Sequence, residues 1–519
     1  MKRFIFCIFS FLLFFNTILF SQSQFQLKIG DSTHGEEARS IIQTTDGGFI
    51  AVGESDFSIP GGHMYIVKLN SSGQLQWSRT ISSTIREVAL SVVQTTDGGY
   101  AVAGYSYSFG AYFVKFNPEG TVEWARGFAG DPAWSVVQTA DGGYAAVISP
   151  SEGGYSPDRM IFVKLDSMGM PQWSKRIEGN SYARCIRQTT DKGYVLAGTT
   201  SVASGDFNMF IVKLDSNGSM QWAKTVGDTG QDYAYSIVQT FDGGYAAAGV
   251  TYSFGNSKMY IVKLDSSGII LWTKVVGVDF GVAYSIIQTT DSGYAAAGDI
   301  GGGGGIPIIK LQPDGSLQWS RIVNGSSGQT YARSIIQTTD GCYVAAGFTC
   351  TTGDCGMFIV KFDNNGNTCV NSTSPSISVG TGGILRSIFP TITSPTLSAI
   401  TPTPVINSQG SVTPICVIGI QPISNEIPVS FKLYQNYPNP FNPVTKIKFS
   451  LPRPSEGGGH VKLIIFDVLG SEIVTLVNET FQPGTYEVEW DGTNYASGVY
   501  YYKIETGDYK VSKKMVLIK

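Results

Sequence analysis

The chain has 519 residues, of which 62 are glycine, while 12% are aromatic and only 15% are charged. This composition fits a turn-rich β protein, and the length leaves room for two or three domains. The formal net charge is −4 and the sequence pI is about 5.6, which argues against nucleic acid or a basic membrane-binding face as a partner.

The chain begins with a segment typical of a secretory signal peptide. Lys2 and Arg3 supply a positive start, and an apolar run extends from there to Phe20. A membrane anchor is the alternative interpretation. However, the run is short, Asn16 interrupts it, and the next segment is needed as a strand. We therefore expect residues 1–22 to be removed and the mature protein to leave the cytoplasm.

Seven copies of one sequence unit fill residues 23–369. The clearest copy begins with Ser-Ile-Val-Gln-Thr-Phe-Asp-Gly-Gly-Tyr-Ala-Ala-Ala-Gly at Ser236 and reaches Trp272 through Tyr-Ile-Val-Lys-Leu-Asp-Ser-Ser-Gly. A turn aspartate recurs at intervals of 51, 44, 50, 51, 49 and 49 residues, at Asp46, Asp97, Asp141, Asp191, Asp242, Asp291 and Asp340. A period of about 40–50 residues with several short strands per unit is typical of a β-propeller blade.

Each unit predicts four antiparallel strands, a to d, joined by glycine turns. Asp-Gly-Gly lies between the apolar runs of strands a and b, where glycine accepts the positive φ that a tight hairpin needs. A second turn of the type Asp-Ser-Ser-Gly leads from strand c into strand d, which carries a tryptophan. No stretch has helical periodicity. The predicted fold is therefore all-β, a seven-bladed β-propeller followed by a linker and a small immunoglobulin-like β-sandwich.

The N-terminal strand is expected to complete the last blade. The seventh unit lacks its tryptophan strand, whereas Phe25 precedes Ser40 by the same 15 residues that separate Trp319 from Ser334. We therefore predict that Phe25 takes the place of the tryptophan and that its strand pairs beside Phe358–Phe362. Such closure removes a free sheet edge. A linear stack of repeats is the alternative, but it would need capping units, which the sequence does not show.

One face of the predicted propeller is the candidate binding face. The a–b and c–d turns are nearly uniform, whereas the d–a and b–c connections on the other face vary in length and content, and binding residues concentrate on variable loops over a rigid scaffold. On this variable face, the residue after a recurring alanine forms a column that we expect around the mouth of the channel. The seven column residues are Arg39, Leu90, Trp134, Arg184, Tyr235, Tyr284 and Arg333.

Two interpretations of the column stay open. Its arginines and aromatic rings could bind an anionic or sugar ligand by charge-assisted hydrogen bonds and stacking, and all but Leu90 are the candidate ligand-binding residues. Alternatively, the side chains plug the mouth and pack on adjacent blades.

No enzyme motif is present in the sequence. The Asp-Ser-Ser-Gly segments lack the alternating spacing of a calcium loop, and the glycine run Gly301–Gly305 lacks the flanks of a phosphate loop. We expect no catalytic residue, no cofactor and no metal, and favour a monomeric binding or adhesion module with a glycan or surface ligand. The alternative is an extracellular polysaccharide-acting hydrolase or lyase at the propeller mouth, which would need two carboxylates roughly 5–9.5 Å apart.

The cysteines suggest two disulfides, although spacing alone does not fix their connectivity. One pair flanks a short loop and the other brackets a Ser/Thr/Pro-rich stretch; they are Cys350 with Cys355 and Cys369 with Cys416. A metal site built from the same four cysteines is disfavoured. Zinc sites usually contain two pairs of closely spaced ligands, and the second such pair is absent here. Cys185 and Cys342 lie three units apart and are expected to be buried free thiols.

Residues 370–426 are dense in serine, threonine and proline and predict an extended linker. Apolar residues such as Leu385 suggest that part of this segment rests on a neighbour. A stiff spacer without a partner is the preferred interpretation.

Residues 427–519 have a third pattern. Alternating strands are predicted at Thr445–Leu451, Val461–Asp467, Thr485–Asp491 and Gly498–Glu505, separated by glycine turns. This spacing of strands and turns predicts the small immunoglobulin-like β-sandwich.

Five motifs occur in order within this segment. They are Tyr-Pro-Asn-Pro-Phe-Asn-Pro from Tyr437, Ile-Ile-Phe-Asp-Val-Leu-Gly from Ile464, Gly-Thr-Tyr with Trp-Asp-Gly from Gly484, Ala-Ser-Gly-Val-Tyr-Tyr from Ala496, and Lys-Lys-Met-Val-Leu-Ile from Lys513. Together they resemble the type A C-terminal sorting domain of the type IX secretion system of Bacteroidetes-type bacteria.

The resemblance implies an export address that the type IX secretion machinery recognises at the outer membrane. The protein would then be secreted or displayed on the outer-membrane surface, after passing through the periplasm. The positions that carry this sorting signal are Pro438, Asn439, Pro440, Gly470, Gly498, Lys513 and Lys514.

Overall fold

The computed structural model describes residues 24–518 except for short gaps, which are 31–34, 56–61, 83–85, 151–159, 204–205, 278–280, 302–303, 324–328, 352–353, 369–371, 374–378, 381–383, 388–391, 394–404, 408–410, 419–420, 425–427, 453–458, 482, 493–494 and 508. The predicted signal peptide, residues 1–22, lies outside the described residues. All elements of the described part are β-strands, as predicted. Within it, no helix is long and apolar enough to cross a membrane. Two compact units are present, one within Gln24–Val417 and one within Ile418–Lys519.

The first unit contains seven antiparallel sheets, numbered here in chain order. An initial strand, β1, is Gln24–Gly30. Sheets 1 to 3 contain β2 (Glu36–Gln43), β3 (Phe49–Ser55), β4 (His63–Leu69), β5 (Leu75–Ser82); β6 (Glu87–Gln94), β7 (Tyr100–Ser106), β8 (Gly110–Phe116), β9 (Val122–Phe128); and β10 (Ala133–Gln138), β11 (Tyr144–Ile148), β12 (Met160–Leu165), β13 (Pro171–Ile177).

Sheets 4 to 7 repeat the same order of strands. They contain β14 (Ser181–Gln188), β15 (Tyr194–Ala203), β16 (Asp206–Leu214), β17 (Met220–Gly227); β18 (Asp232–Gln239), β19 (Tyr245–Thr251), β20 (Lys258–Leu264), β21 (Ile270–Val276); β22 (Val282–Gln288), β23 (Tyr294–Asp299), β24 (Ile306–Leu311), β25 (Leu317–Val323); and β26 (Gln329–Gln337), β27 (Tyr343–Thr351), β28 (Asp354–Phe362) with β1.

A buried lysine holds each a–b turn in place. In sheet 5, Lys263 lies 2.9 Å from the Asp242 carboxylate, and its Nζ donates to the Leu264 carbonyl at 2.9 Å. A Cβ atom at Gly244 would lie 2.6 Å from the Lys263 Nζ, so the second glycine of the turn makes room for the ammonium group. The same ion pair occurs in the other sheets, as Lys68–Asp46, Lys115–Asp97, Lys164–Asp141, Lys213–Asp191, Lys310–Asp291 and Lys361–Asp340.

Neighbouring sheets are joined through the glutamine that ends each strand a. The backbone N–H of Thr190 in sheet 4 donates to the Gln239 Oε1 of sheet 5 at 2.8 Å. Equivalent bonds join every consecutive pair of sheets. The last of them runs from the Thr339 N–H of sheet 7 to the Gln43 Oε1 of sheet 1 at 2.9 Å. Sheet 7 therefore contacts sheet 1 as each sheet contacts the next.

The predicted pairing of the N-terminal strand is confirmed. β1 pairs antiparallel with β28, from Phe25 opposite Lys361 to Ile29 opposite Met357. Phe25 is fully buried, in a cluster that includes residues of sheets 1 and 7. The strand-d tryptophans pack on the following sheet, although among the six only Trp124 is buried and the others are half-buried.

Short strands from the segment predicted as a linker add a fifth strand to six of the sheets. They are β29 (Ser372–Thr373), β30 (Val379–Gly380), β31 (Ile384–Ser387), β32 (Ile392–Thr393), β33 (Val405–Asn407) and β34 (Ser411–Ile418). In this order they join sheets 6, 5, 4, 3, 1 and 7, and Leu385 of β31, for example, pairs with Val226 of β17. We call these six strands the belt.

The belt differs from the preferred interpretation of a spacer without a partner. Extended backbone suits a Ser/Thr/Pro-rich sequence, and the outer strand of each sheet offers unpaired backbone groups with which it can pair. β34 lies beside β1, so the strand that joins the two ends of the repeat has a neighbour on both sides. The boundaries at residues 370 and 426 stay predictions.

The second unit contains two four-stranded antiparallel sheets. Its strands are β35 (Gln421–Ser424), β36 (Lys432–Leu433), β37 (Val444–Leu451), β38 (Gly459–Phe466), β39 (Glu472–Phe481), β40 (Gly484–Asp491), β41 (Gly498–Thr506) and β42 (Tyr509–Leu517). Phe449, Trp490 and Tyr502 belong to one buried core that both sheets share. The four predicted strands are present within two residues at each end, whereas β39 and the start of β42 were not predicted. The immunoglobulin-like topology of the second unit stays a prediction.

Candidate functional site

A β-bulge presents each of the seven column residues. In every sheet, the recurring alanine and the residue two positions after it pair with consecutive residues of strand b. The column residue between them therefore has no partner and is the extra residue of a bulge. In sheet 5, for example, Ala234 pairs with Gly249 and Ser236 with Ala248, so Tyr235 has no partner of its own. Bulges redirect a side chain and are frequent beside functional sites.

In six of the seven sheets, the bulge faces a glycine in strand b. A Cβ atom at Gly249 would lie 1.7 Å from the Tyr233 carbonyl oxygen, so only glycine allows strand a to approach this closely. Five other sheets have the same glycine, as Gly53, Gly104, Gly198, Gly298 and Gly347. Ile148 takes this position in sheet 3, where the pairing of β10 with β11 ends at the bulge. The recurrence of glycine at this position of strand b therefore has a structural reason.

The seven column residues meet around one cavity. Arg39, Leu90, Trp134, Arg184, Tyr235, Tyr284 and Arg333 together line a space of about 340 Å³. Every one of them is half-buried, so each side chain has one part packed and another part open to solvent. The sequence thus identified the set of residues that encloses the cavity. That they bind a ligand stays a prediction.

Two carboxylates lie behind the arginines of sheets 1 and 7. Glu37 and Glu54 are opposite each other in the β2–β3 pair. The Arg39 Nη2 donates to Glu54 at 2.9 Å and forms an ion pair with Glu37, also at 2.9 Å. Glu37 also accepts from the Arg333 Nε at 2.9 Å, and Glu54 from the Arg86 Nε at 3.2 Å. Three guanidinium groups therefore share two buried carboxylates. The sequence shows Glu37 as one of a few glutamates on the variable face, but the ion-paired cluster was missed because no other unit has glutamates or Arg86 at these positions.

The charge of Arg333 is maintained by its contact with Glu37. Burial by itself would lower the pKa of Arg333, but the neighbouring Glu37 charge raises it above its ordinary value, so the guanidinium stays charged. Burial and the same carboxylate raise the pKa of Tyr331 to about 12. Its neutral ring lies 4.7 Å from the guanidinium carbon of Arg333, within the range of a cation–π contact.

The other side of the cavity is built from aromatic rings. The guanidinium carbon of Arg184 lies 3.5 Å from the ring centre of Trp134. The Trp134 indole N–H donates to the Ser149 carbonyl at 2.9 Å, which fixes the orientation of the ring. Tyr235 and Tyr284 contact each other with centroids 5.2 Å apart. The lining therefore combines cationic groups with flat apolar surfaces, in positions set by neighbouring side chains.

The structure tests one of the two predicted disulfides and the two predicted free thiols. Cys350 and Cys355 form a disulfide at the tip of the β27–β28 hairpin, where they are directly opposite each other. Cys185 and Cys342 are buried free thiols. Cys369 and the side chain of Cys416 lie outside the described residues, so their pairing is not assessed. Within the described part of the chain, no group of three or more His, Cys, Asp or Glu side chains could hold a metal ion.

The proline-rich motif of the second unit is held against its last strand. The Asn439 side chain accepts a hydrogen bond from the Val516 N–H at 3.0 Å. Phe441 exchanges backbone hydrogen bonds with Val516 and Ile518, each at 2.9 Å. Two of the five motifs therefore form one structural element.

The other predicted sorting positions occupy turns and the last strand of the unit. Gly470 adopts a positive φ of 81° in the turn that Asp467 caps, where it donates to the Asp467 carbonyl at 3.2 Å. Gly498 begins β41. Lys513 is half-buried and Lys514 exposed on β42, and the Lys514 carbonyl accepts from the Gln435 side chain at 2.7 Å. Lys514 therefore lies beside the proline-rich motif, whereas Gly470 lies in the turn between β38 and β39 and Gly498 at the start of β41.

Comparison with known families identifies the second unit. Residues 435–519 match the family model of the secretion system C-terminal sorting domain, which confirms the resemblance seen in the motifs. The domain marks proteins exported by type IX secretion to the cell surface or the extracellular space. The chain is therefore cargo of this system, and the secretion machinery is a partner. No curated protein matches the chain.

Proposed function

We propose that the chain is an exported binding module in which the first unit is a seven-bladed β-propeller and the cavity lined by the column residues receives the ligand. The ligand is anionic or a sugar, and it is held by guanidinium groups and aromatic rings. The module performs no catalysis, and export delivers it to the surface or medium, where it adheres to a glycan or another surface ligand.

The contacts between sheets support the propeller. Hydrogen bonds of one type link each sheet to the next and sheet 7 to sheet 1, through Thr339 and Gln43. A linear stack of repeats would leave the first and last sheets apart, so this last contact favours a closed ring.

One observation supports ligand binding above all others. Seven residues, one from each of seven sheets spread over about 300 residues of sequence, surround a single cavity, and three of them are arginines. A plug would be expected to use apolar side chains that exclude water, whereas six of these seven carry a polar or charged group. Cavities with convergent polar groups and aromatic walls are the usual form of a small-ligand site.

A hydrolase or lyase is the second candidate, because Glu37 and Glu54 converge beside the cavity. Both carboxylates are buried, and each contacts two arginines. A glycosidase needs one carboxyl group that donates a proton to the leaving group and a second that reaches the sugar. Both carboxylates are already paired with guanidinium groups. This pairing favours a structural role, the support of Arg39 and Arg333, over a catalytic one.

A glycan array tests the proposed binding. Purified wild-type protein is compared with Arg184→Ala and with Arg321→Ala. Arg321 is a matched control, since its guanidinium also lies near a tryptophan ring, 5.7 Å from Trp319, but on the outer strand β25. We expect wild type and Arg321→Ala to bind the same saccharides, and Arg184→Ala to lose them. Equal binding by all three proteins would contradict a site in the cavity.

A further inference from the structure

A cluster of three aromatic rings lies on sheets 4 and 5, in which Phe207 is buried and Tyr233 is half-buried. The rings of Phe207 and Tyr233 are stacked, with centroids 6.3 Å apart and planes 17° apart. Tyr252 meets Tyr233 edge-on at 6.2 Å and is 46% exposed. We call these three residues the aromatic arm.

The aromatic arm adjoins the cavity. Tyr233 precedes the cavity residue Tyr235 by two positions in β18, a distance of about 7 Å along a strand. In sheet 4, Tyr182 has the equivalent position, two residues before Arg184, and its ring centre lies 5.7 Å from the Arg184 guanidinium carbon. The arm and the cavity are therefore neighbouring parts of one surface across these two sheets.

The repeat itself does not require an aromatic residue at the position of Tyr233. The other sheets carry residues of very different size and polarity there, namely Glu37, Val88, Pro132, Tyr182, Val282 and Tyr331. Because glutamate, valine and proline all support the same bulge, the packing of strand a does not explain the tyrosine. Its ring packs instead on Phe207 of β16, much as Tyr331 of sheet 7 packs on Phe348.

The loop that carries Tyr252 is held in place by hydrogen bonds. The Tyr252 N–H donates to the Gln231 carbonyl at 2.9 Å, and the Tyr233 hydroxyl donates to the Gln231 side chain at 2.7 Å. The next residue, Ser253, donates to the buried Asp232 carboxylate at 3.1 Å. The rings are thus ordered before a ligand arrives, which lowers the entropy cost of binding.

The chemistry of the two neighbouring surfaces indicates one class of ligand. The cavity presents guanidinium groups suited to a carboxylate, and the arm presents the exposed ring of Tyr252 beside the half-buried ring of Tyr233. A sugar ring has C–H groups on its faces and hydroxyl groups at its rim, so it packs against an aromatic face while its polar rim stays hydrated. A chain of sugars that carries acid groups matches both surfaces at once.

We propose that the cavity and the aromatic arm together bind an acidic oligosaccharide. The cavity holds a carboxylate-bearing sugar, and the arm stacks against the sugars next to it. This inference rests on the proposed function and adds to it the acidic group and the length of the ligand. Affinity should accordingly rise with chain length until the arm is covered.

Calorimetric titration with galacturonic acid and with tetragalacturonate tests this proposal. Wild-type protein should bind the tetramer about tenfold more tightly than the monomer, the effect of one good ring contact. Tyr233→Ala and, separately, the exposed Tyr252→Ala should lower tetramer affinity about tenfold and leave monomer affinity unchanged, while Tyr233→Phe keeps both. Tyr107→Ala is the control, because Tyr107 is 62% exposed on a loop of sheet 2 and outside the arm.

The possible results separate this inference from the proposed function. Equal affinity for monomer and tetramer, with both lost in Arg184→Ala, would overturn the role of the arm and leave the cavity as a binding site. Equal binding of fully methyl-esterified tetragalacturonate would overturn the requirement for acid groups. Absence of binding to either acidic probe would overturn the inference as a whole, while a glycan-array signal that depends on Arg184 would still support the proposed function.

Discussion

The ring of Phe25 packs against the ring of Phe49 with centroids 5.9 Å apart and planes at 70°. The strand-d tryptophans make the corresponding contact with a tyrosine of the following sheet, as Trp222 does with Tyr245 at 5.6 Å. Phe25 thus takes the tryptophan's place between sheets 7 and 1, although it comes from the opposite end of the repeat.

Loss of this contact should weaken the whole first unit. Phe25→Ala is expected to lower the free energy of unfolding by about 3–5 kcal/mol, since it leaves a cavity where a fully buried ring stood. Phe241→Ala is the matched control, because Phe241 is 70% exposed, and should change the free energy by less than about 0.5 kcal/mol. Urea melts measure both. A loss below about 1 kcal/mol for Phe25→Ala would mean that β1 does not hold sheets 7 and 1 together.

The lysine–aspartate pairs of the turns predict acid sensitivity. Burial would raise the pKa of Asp242, but hydrogen bonds from Thr240 and Lys263 outweigh it and lower the pKa from 3.8 to about 2. Asp97 and Asp141 behave in the same way. A carboxyl group whose pKa is lower in the folded than in the unfolded state stabilises the fold. The stabilisation is complete at a pH above the unfolded-state pKa, and it is lost as the pH falls through the folded-state pKa.

Stability should therefore decline between about pH 4 and pH 2. Asp242→Asn removes one such carboxylate, so the difference in unfolding free energy between wild type and variant should be largest at pH 7 and shrink towards pH 2. Guanidinium melts across this range provide the measurement. A difference that stays constant with pH would show that Lys263 does not lower the pKa of Asp242.

The belt predicts a pattern of amide protection. β17 lies between β16 and the belt strand β31, whereas the described part of sheet 2 has four strands and ends at β9. Outward-facing amides of β17 should exchange with deuterium more slowly than those of β9, because pairing protects them. Peptide-level hydrogen exchange can resolve the two strands. Equal protection of both would indicate that the belt does not pair stably with the sheets.

Export should depend on the second unit and on its surface lysines. Deleting residues 427–519 is expected to trap a folded first unit in the periplasm. A shorter deletion that begins at Lys513 would remove Met515 and Leu517, which are buried in the core, so it would unfold the unit. Lys514→Glu is a more specific variant, because it reverses an exposed charge on β42 and leaves the core intact.

Cell fractionation distinguishes the outcomes. Loss of surface protein in Lys514→Glu, with an unchanged melting temperature, would indicate recognition of the charge by the secretion machinery. Lys510→Glu serves as the control, since Lys510 is also exposed on the same strand. Normal export of the 427–519 deletion would contradict the role of the domain as an address.

Much of the fold and site follows from the repeat. The period fixed the seven units, and the spacing before Ser40 identified the place of Phe25. The column residues were visible because each follows an alanine. The glutamates Glu37 and Glu54 were not, since they occur in a single unit and only the folded strands bring them to Arg39 and Arg333. The belt strands were also invisible, because pieces of two to eight residues have no periodicity and depend on a long-range partner.

A structure of the protein with its bound saccharide tests the binding site most directly. Crystals soaked with tetragalacturonate, or with the saccharide that the array identifies, should show one acidic group within hydrogen-bonding distance of Arg184 and a sugar ring against Tyr233. Ligand density on the face of the a–b turns, or on the second unit alone, would contradict binding at the cavity lined by the seven column residues.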